Sequence, residues 1–534
     1  MTMENNQPSQ PQQTQWPQLY QPKPLFSLGK RDFVFAVCAV IACVLVVIYG
    51  VFGGFTLGYT VTSACMLCLF VAYFSKGGKM SAFSVTCGVL AFANAAVFLC
   101  TTNGSVRFFG MLTGFCLSLA CLDGLIVGST RGNRDTMRLF CRAAATVENL
   151  DIAMKSLFVD GSGNKKKIGK VLIGLLCAVP VLIVVIPLLR ASDEAFRGML
   201  DSMFVNTGKT VFGAIVGIAL SVFAISYGFS LKAGRIAQGK KSKFAGIENV
   251  YLVSFLSAIS LCYLLYLFSQ LAYFFSAFKG FLPDGEITYA QYARKGFFEM
   301  CVIAVINFVL VSATMLLAQK QEGEACLLIK LLATFIGVFT LVIISTAISK
   351  MVLYINEYGM TVLRVTTSSF MVFLAVVFIS IILKIYIRKI NIIKTALLTA
   401  GCVVLLLGTV NVNRVCAKYN YESYISGRHQ TVDVEALYHL GDEGIPYVAK
   451  LAADEDPSVQ KKAQQYLAKA YLYDYFDDMD ALDSFTVADL QKREKDREIS
   501  KLSFPRAAAY DSLYNYLEAN TQFGTQCRSY LNQE

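Results

Sequence analysis

The chain has 534 residues, 55% hydrophobic and only 16% charged, whereas soluble domains carry about a quarter charged residues, which excludes a string of ordinary soluble domains. Its net charge of +11 is unevenly spread: from Arg414 to the end there are 14 Lys and Arg against 20 Asp and Glu, leaving 34 against 17 before it. The basic residues stand in short segments between apolar runs, so they speak for orientation and for anionic lipids at the cytosolic face, not for nucleic acid.

Residues 1–30 are rich in Gln, Asn and Pro, lack periodicity and read as a disordered cytosolic tail. Apolar stretches then recur over 31–412. Each is long enough to cross a hydrocarbon core of about 30 Å, where only a helix satisfies its own backbone. About eleven spans are expected: Phe33–Val51, Phe55–Phe74, Ser81–Cys100, Phe108–Val127, Ile168–Leu189, Val211–Leu231, Val250–Phe275, Phe297–Ala318, Cys326–Ile348, Phe370–Ile387 and Ile392–Val410. Gly53-Gly54 leaves a very tight turn between the first two, and Pro180 and Pro187 predict a kink in the fifth. Gly213-x-x-x-Gly217 permits close helix packing.

Lys and Arg concentrate in alternate connections, among them Lys76, Lys79, Arg131–Lys167, Lys232–Lys243, Lys320, Arg388 and Lys389. By the positive-inside rule these are cytosolic, and an odd number of spans then puts the C-terminal part outside. In the long inner connection Thr130–Lys167, Leu139, Ala143, Val147 and Leu150 recur at helical spacing, as an amphipathic helix on the cytosolic leaflet would require; a solvated connector packed on the bundle fits as well.

Residues 413–534 read as a soluble helical domain. Asp454-Glu455-Asp456-Pro457-Ser458 is an acidic stop followed by an N-cap with Pro at a helix start, and Val459–Tyr475 continues as a helix. Cys416 and Cys527 are its only cysteines and would be free to pair if the domain lies outside the cell. The expected fold class is therefore all-α: a polytopic transmembrane helix bundle with a C-terminal soluble helical domain.

The chemistry is sparse. Two histidines, His429 and His439, leave no basis for a His-rich metal site, and no cofactor is called for. The segment Gly161–Lys170 lacks both the spacing and the Ser or Thr of a phosphate loop. Inside the spans, Asn94, Asp123, Gln270 and Asn307 need partners because lipid offers none. Three charged, aromatic segments fall on the predicted outer side: Arg190–Phe196 with Asp193 and Glu194; Leu282–Glu299 with Tyr289, Tyr292, Arg294 and Glu299; and Tyr354–Arg364 with Glu357 and Arg364. Asn413-Arg414 joins them. Together they read either as an outward-facing polar cluster or as an ion-pair and aromatic belt fixing helix ends.

The combination Y-A-x-Y-A-R-x-G-F-F-E, Y-x-x-E-Y-G-M-T-x-L-R, Asn413-Arg414 … Ala417-Lys-Tyr419-Asn420 and the D-x-x-A-L-Y-x-L-G-D-E-G-I-P segment from Asp433 resembles a bacterial membrane family. That family is catalogued as a domain of unknown function, number four-one-seven-three, close to four-one-five-three. The resemblance runs from about Arg31 to Ala453 and implies a multi-pass protein of the bacterial plasma membrane. It implies no activity. Without a catalytic signature, the reading is a non-enzymatic envelope sensor, scaffold or regulatory protein whose C-terminal domain meets an envelope protein partner. A transporter or flippase, and a membrane-embedded transferase acting on a lipid-linked substrate, remain open.

Overall fold

The computed structural model describes residues 30–74, 81–127, 185, 208–232, 247–279, 297–318, 326–387, 389–475, 486–495 and 501–531. Apart from residues 30 and 185, the expected N-terminal tail, fifth span and amphipathic connector lie outside these residues. Among those described, every element is helical apart from one isolated parallel bridge between Ile247 and Ala318. The apolar helices are α1 (Lys30–Leu45, continued by a π-helical turn Val46–Val51), α2 (Leu57–Phe74), α3 (Ala82–Cys100), α4 (Gly104–Val127), α5 (Lys209–Lys232), α6 (Asn249–Lys279), α7 (Phe297–Leu317), α8 (Leu327–Tyr358), α9 (Val362–Tyr386) and α10 (Ile392–Val410). Nine of them are long and apolar enough to cross a membrane; α7 carries a shorter apolar stretch, Met300–Met315. The protein is a multi-pass membrane protein.

Two apolar clusters hold the bundle. One joins α1–α5, with Phe35, Phe70, Leu117, Leu122 and Phe229 buried together. The other joins α6–α9 around Leu256, Ile336, Phe339 and Phe378. The small residues matter where helices approach most closely. A Cβ on Gly217 of α5 would stand 2.5 Å from the Val44 Cα of α1, and one on Gly408 of α10 would stand 2.2 Å from a Val97 methyl of α3. The Gly213-x-x-x-Gly217 spacing thus serves packing of α5 on α1, as expected.

The C-terminal helices are α11 (Val412–Ile425), α12 (Val434–Tyr438), α13 (Ile445–Leu451), α14 (Pro457–Lys469, with a π-helical turn Ala470–Tyr475), α15 (Val487–Lys495), α16 (Phe504–Ala519) and α17 (Thr521–Leu531). They share a third core around Leu437, Val448, Leu467, Tyr471, Leu513 and Leu517. Asp456 caps α14 by accepting from the Ser458 amide at 2.8 Å, and Pro457 takes the first turn, where its missing N–H costs nothing.

Two expectations are corrected. The helices flanking the third outer segment are longer than hydropathy alone suggests, because α8 runs ten residues past Ile348 to Tyr358 and α9 begins at Val362. Nothing breaks the helix before Gly359, whose φ of +77° suits glycine. Cys416 and Cys527 are both free, buried thiols; Cys527 donates to the Ala468 carbonyl within the C-terminal core.

The connections fall at two ends of the bundle. At one end Arg31 donates to the carbonyls of Ala72 (2.9 Å) and Tyr73 (2.6 Å), Lys232 pairs with Asp32 at 2.5 Å, and Lys394 lies over the Phe83 ring. At the other end Arg107 donates to Gly54, Asn411 to Cys100 and Asn420 to Met360. The start of α1 and the C-terminal helices are therefore at opposite ends. This relation follows from contacts between described residues and does not depend on the total number of spans.

Candidate functional site

Where α10 ends, the chain turns through Asn411 in the left-handed conformation (φ 58°), which Asn tolerates better than most residues. Its carboxamide serves both helices: Oδ1 accepts from the Arg414 amide at the start of α11, and Nδ2 donates to the Cys100 carbonyl of α3 at 2.6 Å. The same Nδ2 reaches Glu443 Oε1 at 3.2 Å. Glu443 belongs to the short 3₁₀ turn Gly441–Glu443 between α12 and α13, and it is 3% exposed.

A buried carboxylate needs several donors, and these come from the connection between α3 and α4. Thr102 donates its amide to Oε1 at 2.7 Å and its hydroxyl to Oε2, while the Thr101 hydroxyl lies 3.4 Å from Oε1. This connection directly precedes the N-terminus of α4, whose dipole favours an anion. Asn103 caps that helix by accepting from the Val106 amide, and its Nδ2 donates to Asn413 Oδ1 at 2.8 Å. Asn413 in turn donates to the Leu440 carbonyl. Arg107 holds the neighbouring turn through the carbonyls of Thr101 and Gly54. Beside it Arg506 of α16 pairs with Asp442 at 3.2 Å, both side chains largely buried.

A second contact lies further along α11. Asn420 accepts from the Met360 amide and donates to the Met360 carbonyl, each at 2.8 Å, pairing with that backbone as a neighbouring strand would. Arg364 caps the end of α8 through the carbonyls of Tyr358 (3.0 Å) and Gly359, with its guanidinium 3.9 Å over the Tyr354 ring. Burial pushes the Cys416 thiol on α11 up to about 12, opposed by Arg364. The arrangement is a polar joint that fastens the C-terminal helices to the ends of α3, α4, α8 and α9.

Of the residues singled out in the sequence, Arg190, Asp193, Glu194, Tyr289, Tyr292 and Arg294 lie outside the described residues. Glu299 is in the first turn of α7 and Gln270 within α6. Glu357 and Arg414 are exposed, whereas Asn413 is buried in the joint and Arg364 caps a helix. Asn94 donates to the Leu90 and Gly401 carbonyls, bridging α3 and α10. Asn307 of α7 accepts from Tyr263 of α6 at 2.6 Å and donates to Thr340 of α8 at 2.9 Å. Asp123 is buried near the end of α4.

Sequence reasoning missed Glu443, Asn411, Thr102 and Asn103, and at the opposite end Asp32, which accepts from Tyr73 and Lys232. Two signals were available: an Asn-x-Asn pair immediately after a span, and an acid in the first turn of an apolar helix.

The profile of a domain of unknown function (DUF4153) matches residues 25–451. This is the second of the two numbers that the motifs suggested, and the matched range agrees with the extent of that resemblance. No curated protein and no solved structure matches the chain.

Proposed function

The chain belongs to the DUF4153 family of membrane proteins, and on that premise we propose that it is a non-enzymatic scaffold, sensor or regulatory subunit of the bacterial plasma membrane. Its C-terminal helices are the part that meets an envelope protein partner, on the outer side. The observation that carries this reading is Glu443, an acid of the C-terminal helices seated in the connection between α3 and α4. Such a joint makes membrane helices and C-terminal helices move as one, which a protein that relays or holds a partner's position requires and a flexibly tethered domain does not supply. The charge balance agrees, since the C-terminal part is acidic and the preceding part basic.

The test is in-cell crosslinking followed by isolation in mild detergent, with a version ended after Asn420 alongside. A protein that co-isolates with the full chain and not with the shortened one supports the reading. Recovery of the full chain alone, with the shortened version restoring a deletion strain fully, sinks it.

A transporter reading rests on Asp123, an acid buried inside a span. Substrate flux in proteoliposomes that survives Asp123→Asn would remove that residue from any transport mechanism.

A further inference from the structure

The amide of Leu57, the first residue of α2, donates to the carbonyl of Leu502 at 3.2 Å. A helix N-terminus leaves its first N–H groups without intrahelical partners, and here the segment before α16 supplies the acceptor. The depth of this contact follows from length. The α2 span is 18 residues, Leu57–Phe74, and at 1.5 Å per residue it covers about 27 Å of a hydrocarbon core about 30 Å thick. No residue of α2 is left over to project into water, so Leu57 lies at the hydrocarbon boundary. Leu502, hydrogen-bonded to it, is held at the same level.

At that level the chain presents apolar side chains outward. Phe504 is 67% exposed and Leu502 39% exposed, while Ser503 and Pro505 between and beside them are buried. In water two such side chains at a bend would be a liability; at the acyl boundary they lose apolar surface to lipid. The adjoining connection adds Phe52, 40% exposed on the same end of the bundle. Arg506, two residues after Phe504 and so on the other side of the helix, is turned to Asp442 and does not oppose insertion.

We propose that Leu502 and Phe504 insert into the bilayer at the level of the Leu57 end of α2, so that α16 is anchored in the leaflet as well as docked on the bundle. The partner of this surface is the lipid itself. Leu502 and Phe504 would meet lipid in this way with or without a protein partner bound elsewhere on the C-terminal helices.

The chain contains one tryptophan, Trp16, which makes a single-reporter experiment direct. The full-length Trp16→Phe, Phe504→Trp protein is reconstituted in nanodiscs of phosphatidylcholine, with and without lipid brominated near the top of the acyl chain. Trp16→Phe, Asn515→Trp, placed at an exposed position of α16, is the comparison. The expected result is bromolipid quenching several-fold stronger at position 504 than at 515, with aqueous iodide showing the reverse order. Equal iodide quenching at both positions, with no bromolipid effect at 504, would overturn the proposal. So would shielding of position 504 from both quenchers, which would put a protein surface there instead. Phe504 is largely exposed, so the exchange of one aromatic ring for another leaves the packed core untouched.

Discussion

The amide of Thr102 donates to the carboxylate of Glu443 at 2.7 Å across 341 residues of chain. This contact joins the connection between two membrane helices to a turn in the C-terminal helices, and the carboxylate is also met by Asn411 and by the Thr102 hydroxyl. Removing the acceptor leaves those donors buried without it. Glu443→Ala is therefore expected to destabilise the docked C-terminal helices by about 3 kcal/mol, and Glu443→Gln by less, since hydrogen bonds to a charged group contribute about 1.5–3 kcal/mol. Limited proteolysis in mild detergent checks this: early cleavage within 426–433 in the Ala variant is expected, and an unchanged digestion pattern would refute the joint.

Inside the bundle, Tyr263 stacks on Phe339 with ring centroids 4.1 Å apart and donates to Asn307, which donates on to Thr340. Polar contacts between membrane helices contribute about 0.6 kcal/mol on average, because the unfolded state in lipid also finds partners. Tyr263→Phe is expected to lower stability by about that amount, and Asn307→Leu by about 1–2 kcal/mol because it removes both contacts and leaves the Tyr263 hydroxyl in hydrocarbon. A double-mutant cycle followed by thermal unfolding in detergent measures the coupling; strict additivity would mean the two do not interact.

The reach of the sequence follows from which forces it records. Length and apolarity record the cost of unpaired backbone in hydrocarbon, so the spans were legible, as was the N-cap at Asp456. The end of α8 and the start of α9 were not: hydropathy falls at Lys350 while α8 continues to Tyr358, and the backbone at Gly359 stops it. Asn413 was legible as a polar residue just past a span, yet its partners Asn103 and Leu440 are 310 and 27 residues away and no local pattern names them. Glu443 falls within the D-x-x-A-L-Y-x-L-G-D-E-G-I-P segment, where nothing local distinguishes a buried acid from an exposed one. A polar joint is written in pairs of distant residues, and a single sequence carries no record of pairing.

The thiols of Cys416 and Cys527 are raised from 9.0 to about 12 by burial. A folded-state value above the unfolded one means that the native state holds the proton more tightly. The contribution is present below pH 9 and lost as pH rises toward 12. The C-terminal helices are expected to hold constant stability through neutral pH and to weaken over that alkaline window, more steeply than a Cys416→Ala, Cys527→Ala protein. Neither thiol should react with a maleimide at neutral pH until the protein is denatured. Circular dichroism melts across the window provide the check, and identical slopes in the two proteins would refute it.

The separation of the start of α1 from the C-terminal helices yields the last prediction. Arg31 and Lys394 mark one end of the bundle, and Asn411 and Glu443 the other. Lys389 is exposed at the first end and Glu455 is exposed on the C-terminal helices. With a membrane-impermeant maleimide on intact cells and the parent protein as baseline, one of Lys389→Cys and Glu455→Cys should label and the other should not. On the proposed orientation, with the basic end at the cytosol, Glu455→Cys is the variant expected to label. Labelling of Lys389→Cys alone would reverse the orientation and place the C-terminal helices inside the cell, while leaving the joint at Glu443 intact. Labelling of both would contradict the two-ended bundle itself, because no arrangement of further spans elsewhere in the chain can bring those two positions to the same side.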